Sequence, residues 1–174
     1  VLPGCMRQGT KIISNQGWIN PDGAAQRIVH WLQSLGYKGV KVASVNGSLI
    51  TDKVLSMTDR ILENGKPTAS LADNLISAEV YLGAEPIAQA LAAGAQIVVT
   101  GRVADPSIFM APMMHEFGWD PMDAARLGQG MGIGHLMECG AQVTGGYFSD
   151  PGFKDVPEPW NFGFPIAEVE DRKS

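Results

Sequence analysis

Apolar residues recur along the chain in two spacings, and the elements that these spacings predict alternate between strand and helix. Short apolar runs predict buried strands at residues 11–14, 39–45, 75–82 and 96–100. Helical spacing predicts helices at residues 21–35, 51–62, 85–94 and 105–115. A further helix is expected to open at Asp120–Pro121, and residues 128–140 are a helix candidate despite four closely spaced glycines.

This alternation predicts an α/β fold. We expect a mostly parallel sheet with helices on both faces, in a Rossmann-like or flavodoxin-like but incomplete arrangement. The length fits a single domain over residues 1–174, with a loop-rich tail at 147–174. Ligands of such sheets bind beyond the carboxyl ends of the strands, so the loops that follow strands are the places to look for function.

Composition and charge exclude several classes of protein. Hydrophobic residues make up 45% of the chain and charged residues 18%, as in a globular protein with a buried core. The net charge of −5 and the absence of a Lys/Arg cluster argue against nucleic acid as a partner. No apolar window is long enough for a membrane helix. Two cysteines, Cys5 and Cys139, make no disulfide framework, so a cytoplasmic setting is expected.

The loop after the first predicted strand carries polar side chains into a helix start. Ser14 and Asn15 end the strand, and Asn20 precedes Pro21 at the predicted first helical position. Backbone N–H groups and the helix dipole at such a start favour an anion. The alternative is that Asn20 only caps the helix.

A second candidate loop follows the apolar run at 96–100. Arg102 lies directly beyond this predicted strand and has the fork geometry that holds a carboxylate or phosphate. Asp105, in the same loop, has two alternative interpretations. It either caps the next helix or pairs with Arg102 and ties down the loop.

A third candidate region lies between residues 135 and 147. On a helix, His135, Glu138 and Cys139 share one face. His135 and Glu138 have the chemistry of an acid and a base, or of metal ligands if a third ligand lies nearby, and the Cys139 thiol has that of a nucleophile. The alternative for Cys139 is a small apolar core residue. Thr144 opens a Thr-Gly-Gly stretch that either wraps an anion or simply turns.

Familiar cofactor and metal signatures are missing. The glycine run at 128–134 does not follow a predicted strand, so it does not qualify as a dinucleotide-binding fingerprint. There is no phosphate-binding P-loop, no GxSxG elbow and no HExxH or CxxC pair. The sequence therefore indicates no metal and no particular cofactor.

Several long segments resemble the N-terminal region of the acyclic terpene utilisation (AtuA) family. They are KIISNQGWINP, YLGAEPIAQALAAGAQIVVTGRVADPS, HEFGWD, GHLMECGAQVTGGYFSDPGFKDVP and GFPIAEV. The resemblance runs from about residue 1 to residue 169. Family members are usually longer, so the chain resembles an internal piece or a shortened relative.

The resemblance implies a role in the catabolism of citronellol- and geraniol-type compounds. It implies a carboxylate or a CoA thioester as the small-molecule ligand, but not which step is catalysed. Our leading hypothesis is an enzyme, or part of one, in which His135 or Glu138 moves protons in a lyase- or hydratase-like step. The matching motifs carry over the following site candidates: Asn15, Asn20, Arg102, Asp105, His135, Glu138, Cys139 and Thr144. The alternative is a non-catalytic binding or assembly subunit, or a structural fragment that folds as a homo-oligomer.

Overall fold

The computed structural model describes residues 2–171. Along the chain these residues belong to two compact units, Val1–Ala104 and Asp105–Ser174. We describe each unit by itself, and the single domain expected over residues 1–174 stays a prediction.

The described part of the first unit alternates helices and strands. Its elements are α1 Leu2–Gln8, β1 Ile12–Ser14, α2 Pro21–Ser34, β2 Val42–Val45, α3 Thr51–Ser56, α4 Glu85–Ala92 and β3 Ile97–Thr100. A single 3₁₀ turn, Thr68–Leu71, lies between α3 and α4.

The strands of the first unit form a parallel sheet in the order β1-β3-β2. Ser14 and Ser44 both pair with Val99, on opposite sides of β3. Crossover helices separate the strands in sequence, as parallel neighbours require. The predicted α/β class and the parallel pairing are therefore confirmed.

The core of the first unit is built around β3, the central strand. Every residue of β3 is buried, and successive side chains of a strand point to opposite faces. On one face Ile97 and Val99 pack with Leu2 of α1 and Leu32 of α2. Helix α4, with Ile87 and Leu91 buried, also packs on β2 and β3. The central strand thus packs against residues of α1 and α2 and against α4.

Two predicted elements of the first unit are wrong in whole or in part. Residues 75–82 form no strand but an extended segment held by isolated bridges, Leu49 with Glu79 and Leu82 with Val103. The helix predicted over residues 51–62 ends at Ser56. Beyond it, backbone groups pair with the following turn, as in the bond from the Thr68 N–H to the Asp59 carbonyl, instead of continuing the helix.

The second unit begins with two packed helices, α5 Ser107–Phe117 and α6 Ala124–Glu138. Asp105 does not cap α5, because the residue before the helix is Pro106 and no side chain caps it. Helix α6 starts three residues after the predicted Pro121. Asp120 instead accepts a bond from the Met122 N–H in a local turn.

Helix α6 continues through all four glycines, as predicted for the candidate at 128–140, but it ends at Glu138, two residues before the predicted end. Two of these glycines are buried in tight contacts: a Cβ on Gly130 would lie 2.9 Å from the Trp119 ring, and one on Gly134 would lie 2.8 Å from Pro106 Cα. The absence of side chains lets α6 lie close against α5 and the turns that flank it.

After α6 the described chain forms short 3₁₀ turns, Gly140–Gln142, Gly146–Phe148 and Pro159–Asn161. Asp171 returns to α6, where its carboxylate lies 2.7 Å from Arg126 Nη1. The rest of the predicted tail, residues 172–174, lies outside the described residues. No helix within residues 2–171 combines the length and apolarity needed to cross a membrane.

Candidate functional site

The loops after β1 and β3 meet at the carboxyl edge of the sheet. β1 and β3 are neighbouring parallel strands, so both loops leave at the same edge. The Gly17 N–H donates to the Thr100 carbonyl at 3.0 Å. A Cβ at position 17 would lie 2.6 Å from that carbonyl oxygen, so only glycine allows this approach. The two loops therefore contact each other as the sequence predicts.

The loop after β2 joins them. The Gly101 N–H donates to the Val45 carbonyl at 3.0 Å, and the Arg102 N–H donates to Ser48 Oγ at 3.1 Å. Ser48 is only 2% exposed. Its buried hydroxyl thus fixes the backbone of the residue that carries the candidate guanidinium.

A fourth segment, residues 78–82, lies across these loops, and we call it the strap. Its Val80 N–H donates to the Ser48 carbonyl at 2.8 Å, and its Leu82 N–H donates to the Arg102 carbonyl at 3.2 Å. The Leu82 carbonyl accepts from the Ala104 N–H at 2.9 Å. The strap and the three strand-end loops, residues 14–20, 46–48 and 101–103, form what we call the carboxyl rim.

The exposed side chain of Arg102 lies on this rim against an aromatic ring of the strap. Its guanidinium carbon is 5.1 Å from the centre of the Tyr81 ring, and Nη2 is 3.4 Å from Tyr81 Oη. Within the described residues of the first unit, no carboxylate lies at salt-bridge distance from the guanidinium. Pairing with Asp105 stays a hypothesis, since that exposed residue belongs to the other unit.

The start of α2 is largely occupied by its own residues. Asn20 Oδ1 accepts from the Gly23 N–H at 2.9 Å, and the Asn20 carbonyl accepts from the Ala24 N–H. Pro21 has no N–H to offer. The predicted cap by Asn20 is confirmed, and few donors remain there for an anion. Asn15 is exposed, and Ser14 Oγ accepts from the Gln16 N–H at 3.2 Å.

Asp22 adds a fixed negative charge beside this helix start. Its Oδ1 accepts from Ser44 Oγ at 2.5 Å and from Asn46 Nδ2 at 2.8 Å. These hydrogen bonds, that from Ser44 first, lower the pKa of the Asp22 carboxyl. Asp22 and Ser44 lie at one end of an open cleft of 350 Å³ between α2 and β2.

A larger open cleft of 1040 Å³ begins at Asn20 on the rim and follows the outer surface of α2 to Ser34. It is lined by Ile28 and by Trp31, whose side chain is half exposed. The cleft therefore offers apolar surface that starts at the rim.

The predicted proton-transfer residues lie in the second unit at the end of α6. Glu138 is the last residue of the helix, and its Oε1 accepts from Cys139 Sγ at 2.7 Å. This hydrogen bond is the largest cause of a raised pKa of the Cys139 thiol, and burial and the charge of Glu138 add to it. A raised pKa favours the neutral thiol, whereas a nucleophile needs the thiolate.

Two other candidates of the second unit bond to the backbone. His135 is exposed, and its Nδ1 lies 3.0 Å from the Met131 carbonyl oxygen one turn earlier. Thr144 Oγ1 lies within 2.8 Å of the Gly163 carbonyl and 3.0 Å of the Ala141 carbonyl, so its hydroxyl fastens the tail to a turn. Among residues 2–171 no group of three His, Cys, Asp or Glu side chains is arranged to hold a metal.

Sequence reasoning missed three residues of the rim, Ser48, Glu79 and Tyr81, and it did not single out Asp22 beside the rim as a site residue. The loop after the second predicted strand, with Asn46 and Ser48, obeys the rule applied to the first and third strands and was detectable in this way. Glu79 and Tyr81 were hidden inside a segment predicted as a strand. Nothing local in the sequence signals that this segment crosses the rim.

The fold and the rim define an α/β protein with a parallel sheet and polar loops gathered at its carboxyl edge. The family model described as acyclic terpene utilisation family protein AtuA matches residues 1–172. The chain belongs to this family. Searches of the curated proteins and of the solved structures gave no match.

Proposed function

We propose that the carboxyl rim binds the anionic end of a small acid or acyl-CoA derived from an acyclic terpene. The observation that carries this proposal is the exposed guanidinium of Arg102, held at the end of the buried central strand with no acidic partner among the described residues of its unit. A guanidinium in a fixed orientation binds a carboxylate through two parallel hydrogen bonds.

The cleft along α2 suits the rest of such a ligand. Acyclic terpenoid acids carry a branched hydrocarbon chain, and burying apolar carbon is favourable at roughly 0.8 kcal/mol per CH₂. Ile28 and Trp31 offer apolar surface in a cleft that begins at the rim. We assign the carboxylate to Arg102 and the chain to this cleft.

We further propose that the family role includes proton transfer, in a lyase- or hydratase-like step, by His135 or Glu138. Glu138 is half-buried and His135 is exposed, and both have the chemistry of a general acid or base. Cys139, whose thiol donates to Glu138, supports the carboxylate in this proposal instead of attacking substrate.

Calorimetric titration with citronellate, the carboxylate derived from citronellol, tests the binding proposal. We expect wild-type protein to bind it and Arg102→Ala to lose at least tenfold in affinity, since charge-assisted hydrogen bonds contribute about 1.5–3 kcal/mol. Arg7→Ala, an exposed arginine on α1, is the matched control and should bind as wild type. Equal affinity of Arg102→Ala and wild type would overturn the proposal.

A second candidate function is assembly, and the exposed aromatic residues of the tail favour it. Phe148, Phe153, Trp160, Phe164 and Ile166 have relative exposures from 70% to 95% within 19 residues of sequence. Large exposed apolar patches mark interaction surfaces. Sedimentation at micromolar concentration should give a species larger than 18.6 kDa, and Phe153→Ser with Trp160→Ser should reduce it. A well-folded wild-type monomer would exclude this candidate.

A further inference from the structure

We propose that Tyr81 is a positioning residue that orients the Arg102 guanidinium to receive a planar carboxylate. This inference rests on the proposed function, and it adds both a residue and a ligand class to it. It begins from the stacked pair on the rim, in which the guanidinium carbon lies 5.1 Å from the ring centre.

The backbone holds the two side chains together. Leu82, directly after Tyr81, donates its N–H to the Arg102 carbonyl at 3.2 Å and accepts from the Ala104 N–H at 2.9 Å. On the other side of the tyrosine, the Val80 N–H is bound by the Ser48 carbonyl. Tyr81 is therefore anchored by bonds on both neighbouring residues, and its ring stays beside the arginine.

The contact with Tyr81 leaves other N–H groups of the guanidinium for a ligand. The guanidinium carbon lies over the ring at 5.1 Å from its centre, and Nη2 donates to the tyrosine hydroxyl at 3.4 Å, a long hydrogen bond. The remaining in-plane N–H groups have the parallel arrangement that matches the two oxygens of a carboxylate. An arginine without the stack would pay more rotamer entropy to reach the same geometry.

Glu79 of the strap favours a carboxylate over a phosphate group. Its Oε1 lies 3.5 Å from Ser48 Oγ. The Ser48 hydroxyl oxygen also accepts from the backbone N–H of Arg102 at 3.1 Å. A negative charge so close to the rim repels a dianion about twice as strongly as a monoanion, because the energy scales with the product of the charges. The ligand end that fits is therefore a singly charged carboxylate.

Calorimetric titrations of four proteins test this inference: wild type, Tyr81→Ala, Tyr81→Phe and Glu79→Gln, each with citronellate and with inorganic phosphate. Loss of the cation–π contact in Tyr81→Ala should weaken citronellate binding by about 3- to 30-fold. Tyr81→Phe keeps the ring and should stay within about twofold of wild type, because the hydroxyl contact is long. Glu79→Gln should raise phosphate affinity relative to citronellate.

The outcomes separate this inference from the function on which it rests. Unchanged affinity in Arg102→Ala, or no citronellate binding by wild type, overturns the proposed function. Loss in Arg102→Ala with wild-type affinity in Tyr81→Ala overturns only the role of Tyr81. Stronger binding of phosphate than of citronellate by wild type overturns the assigned ligand class.

A readout without ligand tests the stack itself. Protons of the Arg102 side chain above the Tyr81 ring should show upfield ring-current shifts by NMR. These shifts should disappear in Tyr81→Ala and persist in Tyr81→Phe, which a general loss of structure would not produce. Absence of the shifts in wild type would overturn the inference directly.

Discussion

At the scale of single residues, neighbouring side chains decide the chemistry of Cys139. Glu138 accepts its S–H at 2.7 Å and raises the pKa of the thiol. Glu138 is the last residue of α6 and Cys139 is its C-cap, so the two interacting side chains lie at the end of the helix.

We predict that Glu138→Gln makes Cys139 more reactive. Removing the negative charge lowers the thiol pKa and raises the thiolate fraction, so alkylation by iodoacetamide near pH 8 should accelerate by about two- to tenfold. The measurement uses a Cys5→Ser background, so that Cys139 is the one thiol followed. An unchanged rate would show that Glu138 does not control the thiol.

A second prediction concerns the acid side of the stability curve. The folded pKa of Asp22 lies below its ordinary value of 3.8 because of hydrogen bonds from Ser44 and Asn46. The stabilisation is therefore complete above pH 3.8 and is lost as pH falls through the folded pKa. Urea unfolding should show wild type more stable than Asp22→Asn at pH 7, with the difference shrinking at pH 3.

The control for this experiment is Ser44→Ala, which removes the larger cause of the shift while keeping the carboxyl. It should show a weaker acid dependence than wild type. A wild-type advantage over Asp22→Asn that stays constant between pH 7 and pH 3 would contradict the role of the ionised carboxylate.

Single residues were predictable where the signal was local. Asn20 before Pro21 predicts a cap, and Asn20 Oδ1 indeed accepts from the Gly23 N–H. Tyr81 was not predictable as a neighbour of Arg102, because the two residues are 21 positions apart and their contact depends on the path of the chain between them. Burial of Ser48 likewise follows from tertiary packing and not from its own neighbours.

At the scale of elements, α6 shows how glycines inside a helix serve packing. Gly134 is buried against Pro106. Gly132, two residues earlier and on another face of the helix, is exposed, and no heavy atom lies within 4 Å of a Cβ added there. The helix thus contains its own comparison between a glycine needed for close approach and one that only weakens the helix.

We predict opposite effects of alanine at these two positions. Gly134→Ala brings a Cβ to 2.8 Å from Pro106 Cα, and this overpacking should destabilise the fold by about 1–3 kcal/mol. Gly132→Ala should stabilise it by about 0.5–1 kcal/mol, because alanine loses less backbone entropy. Urea unfolding curves measure both. A stabilising Gly134→Ala would show that α6 has room to shift.

For α2 we predict that Asn20→Ala costs about 1 kcal/mol, the usual effect of losing an N-cap side chain. Asn20→Ser keeps an oxygen for the Gly23 N–H and should recover most of the loss. Thermal and urea unfolding report the difference. Equal stability of the alanine and serine variants would mean that water replaces the cap at no cost.

Elements were predictable when the sequence itself carries clear apolar spacing and end signals. α2 and β3 have clear apolar spacing and strong end signals, and both appear close to their predicted bounds. The segment at 75–82 has an apolar run without a neighbouring strand, so it stays extended and forms only isolated bridges. Residues 57–62 have helical spacing, yet Met57 is extended and the chain turns back.

At the scale of the first unit as a whole, stability depends on the layers around β3. Ile87 of α4 is completely buried, whereas Ile76, in the extended segment before the strap, is 95% exposed. The two isoleucines differ in environment but not in chemistry. Alanine substitutions at these two positions therefore separate the effect of burial on the free energy of unfolding from the effect of the side-chain type.

We predict that Ile87→Ala lowers the free energy of unfolding by about 2–5 kcal/mol, the range for truncating a buried large aliphatic residue. Ile76→Ala should change it by less than about 0.5 kcal/mol, since exposed substitutions away from special features are nearly neutral. Urea unfolding followed by circular dichroism gives both values. A large loss in Ile76→Ala would show that this exposed position carries contacts of its own.

The parallel sheet was predictable because strands and helices alternate along the chain, and neighbouring strands then carry their loops to one edge. The strap was not predictable, since its hydrogen bonds join residues far apart in sequence. The structure also weakens the hypothesis that an anion binds at the start of α2, because Asn20 and Pro21 leave few free N–H donors there.

Because few N–H donors are free at the start of α2, the carboxyl rim attracts dissolved anions only weakly from a distance. With the start of α2 capped and Asp22 ionised beside it, Arg102 supplies the positive charge among the described residues of the carboxyl rim, in a protein of net charge −5. Long-range steering is then weak, and added salt screens both the repulsion by the whole molecule and the attraction by Arg102. Recognition is decided at close range, by shape and hydrogen-bond direction, and not by the field of the surface.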